Sequence, residues 1–368
     1  MARILRRVVA GSDVITLERG RIQEHFVTLK PGGEESPESL FSRAGRVVHQ
    51  IGGQVVSSEV LGIAAADRTH LHDFARAVDG VGLPIGWIEK AQAHNLLGVH
   101  IWLIAGTSVA RVEADGKVLG SVFEDDGARY CRLVGLLPRE ASAPRPVQAE
   151  TLFRQMDEAL TGNGFGFADV FRTWFYNDDI LAWYGEFNAV RNRFFREKGI
   201  FNGLMPASTG IGGGNVASAA LIAGLLALRP KGQAVQVSDV PSPFQSSAAN
   251  YGSSFSRAVE VRLPDHRRIY VSGTASIDEA GKTLFVGDCQ AQVRQTMQVV
   301  GAILQSRGMD WADVTRALAY FKRAEDAPML DEYRQQQGLP AFPVIVAEND
   351  VCRDELLFEI EVDAIQTQ

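Results

Sequence analysis

The sequence predicts an α+β protein of two related halves, each a mixed sheet with helices packed on one face. Three observations predict it: a length that suits two domains, an internal repeat, and an order of short β-type runs and amphipathic helical patterns that recurs in each repeat. At 368 residues the chain exceeds one small core, since ~100–200 residues make an ordinary domain. Hydrophobic residues at 46% and charged residues at 22% exclude disordered, collagen-like and coiled-coil classes.

The repeat is carried by Gly164-Phe165-Gly166-Phe167-Ala168-Asp169-Val170-Phe171-Arg172 and Gly308-Met309-Asp310-Trp311-Ala312-Asp313-Val314-Thr315-Arg316, identical at five of nine positions. A helical pattern precedes each copy. Val293, Met297, Val300, Ile303 and Leu304 recur at helical spacing before Gly308, a residue suited to a helix C-terminus. Leu152, Met156, Ala159 and Leu160 do the same before Gly162 and Gly164. Further upstream, Ile101 to Thr107 matches Ile269 to Thr274, which places an inserted hairpin, Gly116 to Arg139, in the first copy. Downstream, strands Val170 to Tyr176 and Val314 to Lys322 lead into helices over Trp183 to Phe195 and Met329 to Gln337. Each copy then closes with a proline and a long apolar stretch, Pro206 to Leu228 and Pro343 to Ile365. Arg229 to Gln245 reads as the linker. The expected domains are 1–235, with residues 1 to about 95 as added strands and loops, and 236–368.

A net charge of −7 argues against broad nucleic-acid binding. Cys131, Cys289 and Cys352 form no CxxC pair, no signal-like or membrane-spanning apolar run is present, and the expected location is cytoplasmic. Gly210 to Asn215 has the look of a phosphate loop, but no buried strand precedes it and no acid follows at the ribose-reading distance. The repeat aligns it instead with a strand in which glycines mark a bulge or a close approach. His70-Leu71-His72-Asp73 would put two imidazoles on one side of a strand, yet a third metal ligand is missing. No GxSxG elbow exists.

The two copies differ most in their last strands. Glu359 and Glu361 are two apart and share one face, whereas Val216 to Leu228 carries no carboxylate. From spacing alone the pair is either a solvated strand face or a buried acid whose pKa is tuned by apolar neighbours. Arg172, Trp174, Tyr176, Trp183, Tyr184, Asn188, Arg191 and Arg193 gather in the first copy. Tyr184, Asn188 and Arg191 share a helix face, and guanidinium with aromatic groups suits a carboxylated ring. The bland alternative makes Trp174 core and Arg193 and Arg196 surface charges.

The second half resembles the Rid/YjgF family in Ser256-Arg257-Ala258, Val271-Ser272-Gly273, Gly287 with Gln292, Gly308 with Asp313-Val314, Pro343 and Glu359-Ile360-Glu361. The whole chain is more specifically similar to the chorismatases. The motifs are Arg172-Thr173-Trp174, Phe187-Asn188 with Arg191, Pro206 with Ser208-Thr209-Gly210-Ile211-Gly212, and Tyr251 with Ser253-Ser254-Phe255-Ser256-Arg257-Ala258. The resemblance implies two Rid/YjgF-like (chorismate mutase-like) domains. It departs from the imine hydrolases of that fold, because Val344-Ile345 and Ala207-Ser208 stand where those use an arginine after the proline.

The chorismatase resemblance implies cleavage of the enolpyruvyl ether of chorismate with release of pyruvate, without cofactor or metal. It implies Glu359 as general acid, and Arg172, Arg191 and Arg257 for the two carboxylates. Tyr176, Tyr184, Thr209, Tyr251 and Gly252 complete the expected substrate-binding set. Cys352, seven residues before Glu359, is similar to the mark of the branch that makes 3-hydroxybenzoate, with some 4-hydroxybenzoate in certain relatives. The other branch hydrolyses chorismate to a non-aromatic diol, and a non-catalytic or imine-hydrolysing binder of small carboxylates is the remaining alternative. Rid proteins close their sites between subunits of a trimer, so a fused chain is expected to use an internal cleft and to remain a monomer. Neither nucleic acid nor membrane is expected as a partner.

Overall fold

The computed structural model describes residues 2–62, 69–78, 82–89, 96–248 and 253–368. It is a mixed α+β fold with three six-stranded sheets. The first sheet comprises β1 (Arg3–Val9), β2 (Ser12–Arg19), β3 (Ile22–Leu29), β4 (Gln54–Gly62), β5 (Ile85–Glu89) and β6 (Leu96–Ala105), with α1 (Pro37–Ile51) and α2 (Thr69–Val78). The second holds β7 (Val109–Ala114), β8 (Lys117–Glu124), β9 (Ala128–Leu136), α3 (Arg145–Gly162), β10 (Val170–Asn177), α4 (Ile180–Glu197), β11 (Ala207–Gly212) and β12 (Leu221–Pro230). The third holds β13 (Gln236–Val240), β14 (Ala258–Arg262), β15 (His266–Ala275), α5 (Cys289–Gln305), β16 (Val314–Phe321), α6 (Pro328–Gln336), β17 (Ile345–Glu348) and β18 (Phe358–Thr367).

All three sheets share one topology. Three antiparallel strands lead to a helix, a strand, a second helix and a parallel edge strand. The last strand then returns to the centre, giving the orders β1-β2-β3-β6-β4-β5, β7-β8-β9-β12-β10-β11 and β13-β14-β15-β18-β16-β17. Where the sequence suggests strands added to the first half, residues 3–105 therefore build a sheet of their own. The matched stretch Ile101 to Thr107 lies largely in β6, a closing strand, whereas Ile269 to Thr274 lies in β15, whose topological counterpart is β9. The two resemble each other because both are buried central strands. The supposed inserted hairpin is the regular β8–β9 pair. The supposed linker contains β13, which pairs with β14 at the sheet edge.

Each sheet buries its outer face under its own helices, and the inner faces meet in one shared core that includes Leu61, Trp174, Tyr176, Ile222, Leu318 and Tyr320. The sheets touch cyclically: β5 against β9, β11 against β15, and β17 against β6. Each of β4, β10 and β16 bulges at the same place, between Val55 and Ser57, Val170 and Arg172, and Val314 and Arg316. The bulge turns Ser57, Arg172 and Arg316 onto equivalent positions. The His70-to-Asp73 motif lies on helix α2, because Phe74 and Val78 bury at helical spacing. His70 meets the ring of Phe41 edge-on, and His72 is exposed.

At the axis a buried ionic chain joins the three sheets. Glu59 of β4 accepts from Arg132 of β9 at 3.0 Å and Arg316 of β16 at 2.9 Å. Arg316 and Arg172 each reach Glu361 of β18 at 2.7 Å. The Trp174 indole lies under the guanidiniums of Arg132, Arg172 and Arg316, at 4.3, 4.5 and 5.4 Å, and donates its N–H to Glu361 at 3.0 Å. Burial pushes the Glu59 and Glu361 carboxyls up, but the arginines outweigh it and hold both below the ordinary range.

Candidate active site

The register identifies one position in each sheet facing a cleft between neighbours. Glu359 lies opposite Tyr320, Ile222 opposite Tyr176, and Gly98 opposite Leu61. Only the third sheet places an acid there. At Gly98 a side chain would meet Ile345 of the neighbouring β17. A cavity between the second and third sheets is lined by Tyr184, Arg191, Ser208 and Gly210 on one side, and by Arg257, Gly273, Cys352, Arg353, Leu356 and Glu359 on the other.

Glu359 is 5% exposed. Burial and then the neighbouring Glu361 charge raise its carboxyl to about 8, with Arg172 opposing. Two carboxylates on one strand face are thus driven apart, Glu361 ionised and Glu359 carrying a proton at neutral pH. Gly273 makes the seat: a Cβ there would lie 2.1 Å from Glu359 Oε1. The Gly273 N–H donates to Thr209 Oγ1 at 3.1 Å, which ties the seat to β11. Cys352 also faces the cavity, and burial followed by the Glu359 charge pushes its thiol up to about 12.

The loop that carries Cys352 is fastened across the cleft. Gly212 N–H donates to Asp350 O at 2.8 Å, and Asn349 Nδ2 donates to Gly212 O at 2.6 Å. A Cβ on Gly212 would stand 2.9 Å from that Asp350 oxygen. The glycines of Gly210 to Gly214 therefore admit another stretch of backbone and the Tyr184 ring, which lies over Gly210.

Of the residues expected from the sequence, the cavity brings together Glu359, Cys352, Tyr184, Arg191 and Arg257. Arg191 is held by Asn188 Oδ1 at 2.8 Å, one helix turn away, and Arg257 Nε donates to Ser246 O at 3.0 Å. Arg172 and Tyr176 are not among the lining residues. Both lie on the inner face of β10, Arg172 bound to Glu361 and Thr209, and Tyr176 with its hydroxyl 3.5 Å from that of Tyr320. Thr209 lies between Arg172, Glu361 and Gly273. Tyr251 and Gly252 lie outside the described residues. Arg353, which sequence reasoning missed, supplies the third guanidinium of the lining, and its Nη1 donates to Gly281 O. Its only signal was adjacency to Cys352. Gly273 was visible as part of Val271-Ser272-Gly273, but not as the acid's seat.

With fold and cleft defined, comparison with known proteins shows that residues 246–366 match the family described as Endoribonuclease L-PSP. Across more of its length the chain is similar to a 3-hydroxybenzoate synthase of Streptomyces hygroscopicus, 29% identical over 280 residues, covering 67% of this chain and 76% of the relative. A chorismatase of the same organism is 29% identical over 271 residues, covering 69% and 73%. The crystal structure of a chorismatase superposes with a TM-score of 0.64 at 19% identity, covering 93% of this chain and 98% of that one, so the fold is shared over nearly the whole chain.

Proposed function

We propose that this chain cleaves the enolpyruvyl ether of chorismate and releases pyruvate, with Glu359 as the proton donor. One observation carries the reading: a buried, proton-bearing carboxyl in a cavity lined by three guanidiniums, those of Arg191, Arg257 and Arg353. A dicarboxylate finds cationic partners there, and its enol ether needs an acid that is protonated at neutral pH. Protonation of the terminal methylene creates an oxocarbenium centre. In the hydrolytic branch one water adds and the hemiketal collapses to pyruvate and a diol. In the aromatic branch the ring hydroxyl oxygen attacks the ring carbon that bears the ether, displacing pyruvate with no net water and closing an epoxide. The epoxide's bond to the original carbon then opens, and a ring proton, which the Glu359 carboxylate can accept, is lost to complete the aromatic ring. The names of the curated relatives support this substrate.

Purified protein incubated with chorismate is expected to form pyruvate, read by a coupled reductase assay; its absence overturns the proposal. The acid form of Glu359 is the active one, so kcat/KM is expected to hold level below about 8 and to fall as pH rises through that value. A profile that instead rises with pH there contradicts a proton-donor role.

The product is proposed to be 3-hydroxybenzoate, on the strength of Cys352. Its thiol stays protonated and shares the cavity wall with Glu359. In Cys352→Ala, chromatography of the products is expected to show the share of non-aromatic diol rising, with pyruvate formation retained. An unchanged aromatic share would remove Cys352 from the choice of branch. On this reading the acid comes from the unit that starts at Gln236. The chain works as a monomer, because one chain supplies all three sheets of the ring; a trimeric mass by light scattering would contradict that.

A further inference from the structure

Glu361 lies two residues beyond Glu359 on the same strand face, and no step above uses it. Its side chain is fully buried and receives Arg172, Arg316, the Trp174 indole N–H and the Thr209 hydroxyl. Thr209 is the junction. Its Oγ1 accepts from Arg172 Nη2 at 2.7 Å and from the Gly273 N–H at 3.1 Å while its hydroxyl donates to Glu361. Gly273 is in turn the surface against which the Glu359 carboxyl lies. A continuous set of contacts therefore runs from the Glu361 anion through Thr209 to the seat of the acid.

We propose that Glu361 is a positioning residue for Glu359: a fixed anion that holds the carboxyl at 359 in its proton-bearing form, with Arg172 setting the limit of that effect. The inference rests on the reading of Glu359 as proton donor and adds what controls its proton. Like charge on a shared, water-poor face disfavours ionisation, and a cation alongside favours it. The charged and titratable groups around Glu359 are Arg172 from β10, Tyr184 and Arg191 from α4, Arg257 ahead of β14, and Cys352 and Arg353 from the covering loop. Those around Glu361 are Arg172, Arg316, Glu59, Asp363, His100, Tyr176 and Tyr320. Of all these, Glu361 is the carboxylate next to Glu359 that Arg316 and Arg172 keep ionised against the effect of burial.

The test is a titration of the Glu359 carboxyl itself. The protonated-carboxyl infrared band that is missing in Glu359→Gln is followed against pH in the substrate-free full chain, beside kcat/KM with chorismate. Glu361→Gln is expected to move the midpoint down by about one pH unit or more, and Arg172→Gln to move it up. If Glu361→Gln does not fold, Thr209→Val serves, with an upward shift expected because Glu361 loses a donor that spreads its charge. An unmoved midpoint, or shifts of the same sign in Glu361→Gln and Arg172→Gln, overturns the proposal, as does lost activity at every pH with the midpoint in place. The infrared band needs no substrate. A failure of the chorismate reading would appear in the assay alone, and a failure of this inference in the midpoint.

Discussion

Glu359→Gln is expected to fold as the parent does and to lose chorismate turnover by ~10²–10⁴-fold, the usual contribution of a positioned general acid. The amide keeps the shape of the carboxyl against Gly273 and removes the proton. The same variant is expected to be more stable than the parent under alkaline conditions. In the folded chain the carboxyl titrates at about 8, above its ordinary value of 4.5. Between those values the unfolded chain ionises while the folded one does not, so the parent loses stability as pH rises from 4.5 to about 8, and the loss is complete above. Glutamine does not titrate, so its advantage grows through this window to on the order of 2–5 kcal/mol at pH 9 and vanishes near pH 4. Urea unfolding at the two pH values checks it. Equal stability at both would mean that the carboxyl is not buried in its acid form.

Arg316→Ala should cost the fold about 3–5 kcal/mol, because deleting one member of a buried ionic group leaves the others uncompensated. Arg316 reaches Glu59 at 2.9 Å and Glu361 at 2.7 Å, and so links the first sheet to the third. Without it Glu59 retains Arg132, and Glu361 retains Arg172. The loss is expected as a lower urea midpoint. A double variant that also makes Glu59 Gln should regain part of it, since one orphaned charge is then removed. No change in midpoint for Arg316→Ala would show that water, not protein, compensates these carboxylates.

The second and third sheets were legible because each enters its central strand through a short turn that needs particular residues. Asp169 accepts from the Gly166 N–H at 2.8 Å, and Asp313 from the Asp310 N–H at 2.9 Å. That shared geometry preserves the Ala-Asp-Val identities. The first sheet reaches β4 from α1 through Gly52 and Gly53, both at positive φ, and needs none of those residues, so its kinship with the others left no identity to find. Strand alternation puts Arg172, Trp174 and Tyr176 on one face. It does not say that this face meets the other two sheets, so the resemblance pointed Arg172 toward a ligand carboxylate, and the structure places it against Glu361. The face of α4 was different, since Tyr184, Asn188 and Arg191 had nothing apolar to explain their spacing. Arg353 sits on a loop, where no periodicity announces a direction.

The single acid among three equivalent register positions bears on how such a site can arise. In a ring of identical chains, a carboxyl forced to keep its proton in the interior appears three times, and its destabilisation is multiplied accordingly. Joining the units covalently allows hydrocarbon at Ile222 and bare backbone at Gly98, while Glu359 alone carries a buried carboxyl in its acid form at neutral pH. Loss of symmetry thus confines this unfavourable ionisation state to one of the three equivalent positions.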